Sequence, residues 1–540
     1  MTDILNDKNK SYNISTSQSS GNTNEKESNA NPSVDLINER YIIWRRNAMF
    51  LYSSLLKAKL DWPALTVEFI NTENTSKLKT NYYTNKILLG THTSNQDYEY
   101  VYIGEVKTPL QSTKKDVLQF ENYTGFISSK KKRKGQALPH FEVKAKLLHP
   151  GEVIRASHLP NNPFFIVTQT SNGSILLFDY TKHPSFPSDV STCYPQMILK
   201  GHTVEGNGLC WNINKMYDDC SKSNINTTND TTSNTKNSTS DNKKFEKKYL
   251  TQEKANSNNS YIEQDNENNA TDNFQNVNPD KLLLASCDAD GNICLWDINK
   301  GTKCNDVPRT YGINKTGKAA DYNIKIYENT PTLSPLCTWS NKNNLKTSLN
   351  DIFFHPQFNN VLGVCDDNGN ISFYDIRNKN FYTKPELNFR YRPEQVNTFS
   401  FDNFSEYIFT CGYSDGLIAL WDIRYNQEPL LSLDYHTQSI NRVKFCLIQS
   451  GIFGSCSDDG LACIWDISRN SSSYENFKKQ EDDIYNSYKK VPKQLLFVHG
   501  GHIGSVYDIA WANSNTFLVA TVGIDNSLQV WHMNEQFLFK

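Results

Sequence analysis

Two residue types that can exchange protons recur at regular places in this chain. Four aspartates each stand six positions before an aromatic residue, and three histidines lie upstream of such turns: Asp290, Asp415, Asp459 and Asp525, with His202, His436 and His502. A His–Asp pair is a common unit of general acid–base chemistry. Here the pair repeats with no nucleophile beside it, which favours a hydrogen-bond network inside each repeat over several identical active sites.

The elements that carry these residues are repeated turn-and-strand phrases. They read SNGSILLFDY, DADGNICLWDI, DDNGNISFYDI, YSDGLIALWDI, SDDGLACIWDI and GIDNSLQVWHM, and they end on Phe178, Trp296, Tyr374, Trp421, Trp465 and Trp531. Asp-Gly and Asn-Gly pairs suit tight hairpins. The closest spacings fit the roughly 40–45-residue period of a four-stranded WD-repeat blade. With a degenerate first blade at 86–106, the sequence predicts an all-β, seven-bladed WD-repeat β-propeller.

Composition limits the rest of the chain. The 540 residues carry 56 basic and 58 acidic side chains, a balance that argues against a broad, charge-driven nucleic-acid binder. The polar residues 1–33 predict a disordered tail, and the propeller is expected over 61–540 with insertions at about 108–142, 214–280 and 468–494. No secretion signal or membrane span is evident, so an intracellular, soluble protein is expected, and its 12 cysteines should be buried thiols.

Ahead of the first blade, apolar residues recur at helical spacing. They are Val34, Ile37, Tyr41, Trp44, Ala48, Leu51 and Leu55. This stripe predicts a helix over 34–60 that packs on the side of the propeller and stops at Trp62-Pro63. A helix beside a sheet rim also creates a groove that can accept an amphipathic helix of a partner. The strand Leu65–Phe69 is expected to close the seventh blade, because closure removes exposed sheet edges.

Several longer phrases carry a family resemblance. The leader NERYIIWRRNAMFLYSSLLKAKLDWPALTVEFI is followed in order by LLGTHTS, HPGEVIRA, FDYTKHPS, LKGHTVEGNGLCWN and LLFVHGGH. Together these resemble the retinoblastoma-binding, Msi1-like WD-repeat family, which includes the small subunit of chromatin assembly factor. The resemblance spans nearly the whole predicted ordered chain, and it implies a non-enzymatic histone chaperone and scaffold without cofactor or metal.

The resemblance further implies a groove for the first helix of histone H4, between the N-terminal helix and a last-blade loop. Its residues here are Phe50, Leu51, Glu481, Asp482, Asp483, Phe497 and Val498. Apolar anchors would supply buried area, and the carboxylates would pair with arginines of a basic partner. The loop departs from the family pattern, which has a Pro-Pro pair before LLF where this chain has only Pro492, and nearby lysines dilute its acidic charge.

The family also resembles a second kind of binder, with an acidic rim on one propeller face that holds the basic tail of histone H3. Glu152 and Glu205 match that rim. At other matching positions this chain lacks the family's usual acids and has Asn350, Gln395, Ser439 and Ile524. Fewer carboxylates weaken the field that attracts Arg/Lys tails, so an attenuated or retuned site is expected.

A compact basic run predicts the cellular location. Lys130, Lys131, Lys132, Arg133 and Lys134 form a candidate nuclear-localisation signal, with a solvated charge run as the alternative. The expected partners are histone H4, the H3–H4 pair, and subunits of chromatin assembly, deacetylase or methyltransferase complexes, with no membrane and no sequence-specific nucleic acid. The alternatives are a WD-repeat ribosome-assembly factor, for which an extended acidic segment would be expected, and another protein-interaction adaptor, which would not need the LDWPALT leader.

Overall fold

The repeated phrases fold as hairpins, because their turns place glycine where the backbone has positive φ. Gly416 and Gly460, for example, have φ of 90° and 80°. The computed structural model describes residues 32–70, 82–109, 140–212, 282–300, 324–340, 347–378, 385–469, 491–513 and 517–534. Within these ranges one α-helix and seven four-stranded blades confirm the predicted all-β propeller with an N-terminal helix.

The blades are numbered in chain order, and each is given from its innermost strand outward. Blade 1 has β2 (Ala64–Ile70), β3 (Tyr82–Thr91), β4 (Glu99–Pro109) and β5 (His140–His149). Blade 2 has β6 (Val153–Leu159), β7 (Asn162–Thr170), β8 (Ile175–Asp179) and β10 (Met197–Leu199). Blade 3 has β11 (Gly208–Trp211), β12 (Leu283–Cys287), β13 (Asn292–Asp297) and β16 (Cys337–Ser340). Blade 4 has β17 (Leu349–Phe354), β18 (Val361–Asp366), β19 (Asn370–Asp375) and β20 (Leu387–Arg390).

The remaining blades follow the same antiparallel order. Blade 5 has β21 (Val396–Phe401), β22 (Ile408–Tyr413), β23 (Leu417–Asp422) and β24 (Leu431–Asp434). Blade 6 has β25 (Ile440–Phe445), β26 (Ile452–Ser457), β27 (Ala462–Asp466) and β28 (Leu495–His499). Blade 7 has β29 (Val506–Trp511), β30 (Leu518–Gly523), β31 (Ser527–Met533) and, outermost, β1 (Tyr52–Lys59). Neighbouring innermost strands contact one another around the whole ring, ending with β29 against β2.

Blade 7 is closed by a strand that the sequence had placed in a helix. Helix α1 (Pro32–Leu51) ends at Leu51, and the next eight residues form β1, which pairs antiparallel with β31 from Tyr52↔Met533 to Lys59↔Ser527. The predicted helix over 34–60 is therefore too long, and Leu55 lies on a strand. The predicted closure by Leu65–Phe69 is also wrong, since those residues belong to the innermost strand of blade 1. Pairing with the open edge of β31 outweighs the helical periodicity.

Short strands from the segment before β16 reach across to blade 2. β14 (Lys325–Ile326) pairs in parallel with β9 (Thr192–Cys193), and β15 (Thr332–Leu333) pairs in parallel with β10. Blade 2 therefore has a fifth strand at its outer edge. This link between blades 2 and 3 was not predicted, because the repeat pattern gives no sign of it.

The cores lie between neighbouring blades, where apolar faces of adjacent sheets meet. Aromatic residues of the third strands are fully buried there, including Trp296, Trp421, Trp465 and Trp531. Nine of the ten described cysteines are buried as free thiols, as predicted. No helix in the described ranges is long and apolar enough to cross a membrane. The predicted insertions lie almost entirely outside the described residues, as do residues 1–31 of the predicted tail.

Charged side chains on the innermost strands form a buried network. Asp351 on β17 accepts hydrogen bonds from Arg442 of β25 and, at 2.9 Å, from Thr398 of β21. Asp508 on β29 forms ion pairs with Lys444, at 2.9 Å, and with Arg155. Burial raises the pKa of Asp351 to about 7, although neighbouring cations and hydrogen bonds act in the opposite direction. The network joins five of the seven blades through side chains alone.

Candidate protein-interaction surface

The predicted His–Asp networks hold the turns of individual blades together. His436 donates through Nδ1 to Asp459 at 2.9 Å, and its Nε2 lies 2.8 Å from Ser455 Oγ, which also accepts from Trp465. Burial by itself would raise the pKa of Asp459, but the hydrogen bond from His436 and neighbouring backbone amides hold it below its ordinary value. His502 and Asp525 pair in the same way at 3.0 Å. These residues are structural, as predicted.

Two of the predicted aspartates have other partners. His202 pairs with Asp288 at 2.8 Å, two residues before the predicted Asp290. Asp415 pairs with Arg392 of the preceding connection and with no histidine that the structure describes. Counting back six positions from the aromatic residue locates the hairpin turn, but side-chain geometry decides which carboxylate in that turn meets the histidine.

Helix α1 is held to blades 6 and 7 by its apolar stripe. Trp44 and Ala48 are buried, and Tyr41 and Leu51 are half-buried against the same core cluster. The ring of Trp44 lies edge-on to His499, the last residue of β28, with centroids 5.6 Å apart. The predicted packing of the helix against the side of the propeller is therefore observed from Tyr41 onward.

A chain of hydrogen bonds fixes the same helix. Trp44 Nε1 donates to Tyr52 Oη at 2.7 Å, and that hydroxyl donates to His499 Nδ1, also at 2.7 Å. His499 Nε2 in turn donates to Gln529 Oε1 at 3.1 Å. Burial holds the pKa of His499 well below its ordinary value, so the ring is neutral and Nδ1 is free to accept. Near the other end of the helix, Arg40 donates to the carbonyl oxygen of Asp459.

The opposite face of α1 exposes large apolar side chains. Phe50 is 60 % exposed, Ile43 is 54 % exposed and Ile42 is 50 % exposed. Arg46 and Asn47 lie exposed between them along the helix. Phe50 was predicted at the site, whereas the two isoleucines were missed. The available signal was the pair of adjacent isoleucines in YIIW, which lie off the buried stripe and are nevertheless apolar.

The other predicted groove residues are placed differently from one another. Phe497 is only 7 % exposed and packs between the rings of Tyr52 and Trp531, with centroids 5.3 and 5.6 Å away. It is therefore a core residue beneath the helix. Val498 is half-buried against the core between blades 5 and 6. Glu481, Asp482 and Asp483 lie outside the described residues, as does the basic run at 130–134.

The predicted tail site lies on the face that carries the connections between blades. Glu152 forms an ion pair with His92 at 3.2 Å, and Glu205 is exposed. The positions expected to lack acids are polar or apolar in fact. Asn350 donates to Asp367 at 2.8 Å and to the carbonyl oxygen of Val396 at 3.0 Å, so its amide is engaged within the propeller.

Gln395 and Ile524 are exposed on that face, and Ser439 Oγ accepts a hydrogen bond from Asn397 at 2.7 Å. Asp458, in a neighbouring hairpin turn, accepts from Asn441 at 2.7 Å. Carboxylates thus remain on this face, but Asp367 and Asp458 already have amide partners. In the described residues, no group of three or more His, Cys, Asp or Glu side chains is placed to hold a metal ion.

The fold and the helix-covered side define a WD-repeat propeller of the protein-binding class. Four segments, 273–297, 386–422, 427–466 and 493–532, match the family model described as WD domain, G-beta repeat. Residues 39–110 match the model of the histone-binding protein RBBP4 and its counterpart in the CAF1 complex. The chain belongs to this RBBP4-like, Msi1-like family of WD-repeat histone-binding proteins, and its general role is that of a histone-binding scaffold in chromatin assembly.

Proposed function

We propose that this protein is a nuclear, non-enzymatic histone chaperone that binds the first helix of histone H4 between α1 and the loop joining β27 to β28. The observation that carries the proposal is the exposed apolar face of α1, with Ile43 and Phe50 at its centre. This helix lies within the segment that matches the histone-binding family model. Large apolar groups are rarely left together on a fixed helix without a partner.

The spacing of these residues suits a helical partner. Ile43 and Phe50 are seven residues apart, so they lie on one side of α1 about 10 Å apart along its axis. An amphipathic partner helix offers apolar residues at the same repeat. Because the Trp44–Tyr52–His499 chain already holds α1, binding would cost little ordering of this side of the groove.

Charge supports a basic partner at the other wall of the groove. Glu481, Asp482 and Asp483 belong to the loop between β27 and β28. We infer that they pair with arginines of the H4 helix, while the apolar face of α1 supplies most of the buried area. Arg46, exposed on α1, would then favour partner helices whose basic residues point toward the loop.

The direct test is binding of the purified chain to a peptide of the first helix of histone H4. We expect Ile43→Asp and Phe50→Asp each to weaken binding at least ten-fold, since both place a charge at the centre of the contact. Phe404→Asp is the matched control, because Phe404 is 46 % exposed on blade 5, away from the helix. Equal binding by all four proteins would overturn the proposal, provided that each unfolds at the same temperature.

The scaffold role and the location are parts of the same proposal. We infer that the propeller joins larger assemblies for chromatin assembly, deacetylation or methylation, since a ring of seven blades offers side and face surfaces at once. Nuclear entry would depend on Lys130 to Lys134. Replacing these five residues by alanine should abolish nuclear accumulation of a fluorescent fusion, and unchanged accumulation would refute this role for the basic run.

A further inference from the structure

Lys57 is a buried lysine in the strand that closes the propeller. It lies in the middle of β1, and its side chain is 6 % exposed. Burying an ammonium group is costly unless it is paired and hydrogen-bonded. Neither the blade repeat nor the proposed histone groove requires a charge at this position, so its contacts need a separate explanation.

The ammonium group meets three partners on three different elements. It donates to the carbonyl oxygen of Gly501 at 3.1 Å and to Asp525 Oδ2 at 3.4 Å. Its third contact is the ring of Tyr41 on α1, whose centroid lies 5.0 Å from Nζ. This last distance is within the range of a cation–π interaction. Lys57 thus links blade 7 and the connection after β28 to the helix.

The carboxylate in this set belongs to the hydrogen-bond network of blade 7. Asp525 also accepts from His502 at 3.0 Å and from Ser527 at 2.7 Å. Burial alone would raise the pKa of Asp525, yet the interactions with His502 and Lys57 bring it below its ordinary value. Asp525 is therefore a fixed anion, and it fixes the position of the ammonium group against it.

Tyr41 connects this set to the proposed binding face. Its ring lies 5.5 Å from that of Trp44, one helical turn along α1. Lys57 beneath Tyr41 and Tyr52 beneath Trp44 therefore support the helix at two successive turns of its buried stripe. A rotation of α1 about its axis would break both contacts and would turn Ile43 away from its present direction.

We propose that Lys57 is a positioning residue for partner binding: through Tyr41 it sets the rotation of α1, and so the direction in which the exposed apolar face points. The proposal rests on the proposed function for its binding readout only. The rotation itself can be measured without any partner. Lys57 touches no partner residue in this scheme.

The test compares Lys57→Met, Tyr41→Leu and the double variant. Methionine keeps the apolar stem and removes the charge. We expect each single variant to weaken H4-helix binding on the order of ten-fold, and the double variant to be no weaker than either, because both remove the same contact. Hydrogen exchange should accelerate in α1 from Tyr41 to Leu51 and remain unchanged in β29 and β30.

Ser527→Ala is the control for damage to blade 7. It removes a hydrogen bond to Asp525 without touching α1, so it should lower thermal stability but leave exchange in α1 and peptide affinity unchanged. Additive losses in the double variant, or unchanged exchange in α1, would overturn the positioning role. If the wild-type protein fails to bind the peptide, the proposed function fails, whereas the exchange measurement still decides the role of Lys57.

Discussion

The hydroxyl of Tyr52 lies 2.7 Å from Nδ1 of His499, joining the first residue of β1 to the last residue of β28. The two residues are 447 positions apart in the chain. This bond connects the strand that closes blade 7 to the outermost strand of blade 6, directly under α1. Closure of the ring and placement of the helix therefore depend on the same buried hydroxyl.

Tyr52→Phe should destabilise the protein without changing its shape. The change leaves Trp44 Nε1 and His499 Nδ1 buried without their partner, which is expected to cost about 1–3 kcal/mol. Chemical denaturation measures the loss. Tyr425→Phe is the control, because Tyr425 is exposed and its hydroxyl contacts only Glu428 among described residues, at 3.5 Å. Equal stabilities would show that the hydrogen-bond chain contributes nothing.

Phe497 and Phe50 should respond differently to truncation. Phe497→Ala removes a ring buried between Tyr52 and Trp531 and should cost roughly 3–5 kcal/mol of folding stability. Phe50→Ala removes an exposed ring and should change stability by less than about 0.5 kcal/mol while weakening partner binding. Thermal unfolding beside peptide titration separates the two effects. A large loss of stability in Phe50→Ala would contradict its placement on the surface.

His355 should make stability depend on pH. Burial lowers its pKa to about 4, while Nδ1 accepts from the amides of Gln357 and Phe358. The unfolded chain binds a proton near pH 6.5 and the folded chain does not, so this contribution is complete above pH 6.5 and is lost as pH falls toward 4. The loss for this one group is on the order of 3 kcal/mol.

His355→Asn supplies the comparison, because an asparagine oxygen can accept the same amide hydrogen bonds and does not titrate. The free energy of unfolding of this variant should fall less steeply between pH 6.5 and 4 than that of the wild type. Asp351, whose raised pKa gives the opposite slope between pH 7 and 4, is present in both proteins and cancels in the difference. Parallel curves would refute the prediction.

Arg442→Met tests the network on the innermost strands. It leaves the buried carboxylate of Asp351 without its cation, and the expected cost at pH 8 is about 3–5 kcal/mol. Adding Asp351→Asn should recover much of this loss, because the uncompensated charge is removed. Urea denaturation of the two variants at pH 8 gives the comparison. A double variant no more stable than Arg442→Met would contradict this account.

The propeller face should gain affinity for basic tails when acids are added. Gln395→Glu together with Ile524→Glu places two carboxylates on exposed positions of that face and should strengthen binding of a histone H3 tail peptide several-fold at low salt. The gain should shrink as salt is raised. A control peptide with glutamine in place of lysine and arginine should show no gain. Family-typical tight binding by the wild type would contradict the expected attenuation.

The sequence was most informative where a pattern repeats or stays local. The aromatic residues that end the turn-and-strand phrases identify the third strand of six blades, and the stripe through Trp44 and Ala48 identifies the buried face of α1. Hairpin turns and amphipathic faces depend on residues a few positions apart, so a single sequence contains the needed information. The exposed Phe50 could be named from the family resemblance for the same reason.

Contacts between distant parts of the chain were decided only by the tertiary structure. Residues 52–59 continue an apolar helical pattern, yet they form β1, because the open edge of β31 needs a partner that lies more than 460 positions away in the chain. Pairing of His202 with Asp288, burial of Phe497 beneath α1 and the contact of Lys57 with Tyr41 arise in the same way. Sequence periodicity describes one face of one element, whereas these contacts depend on which elements the closed ring brings together.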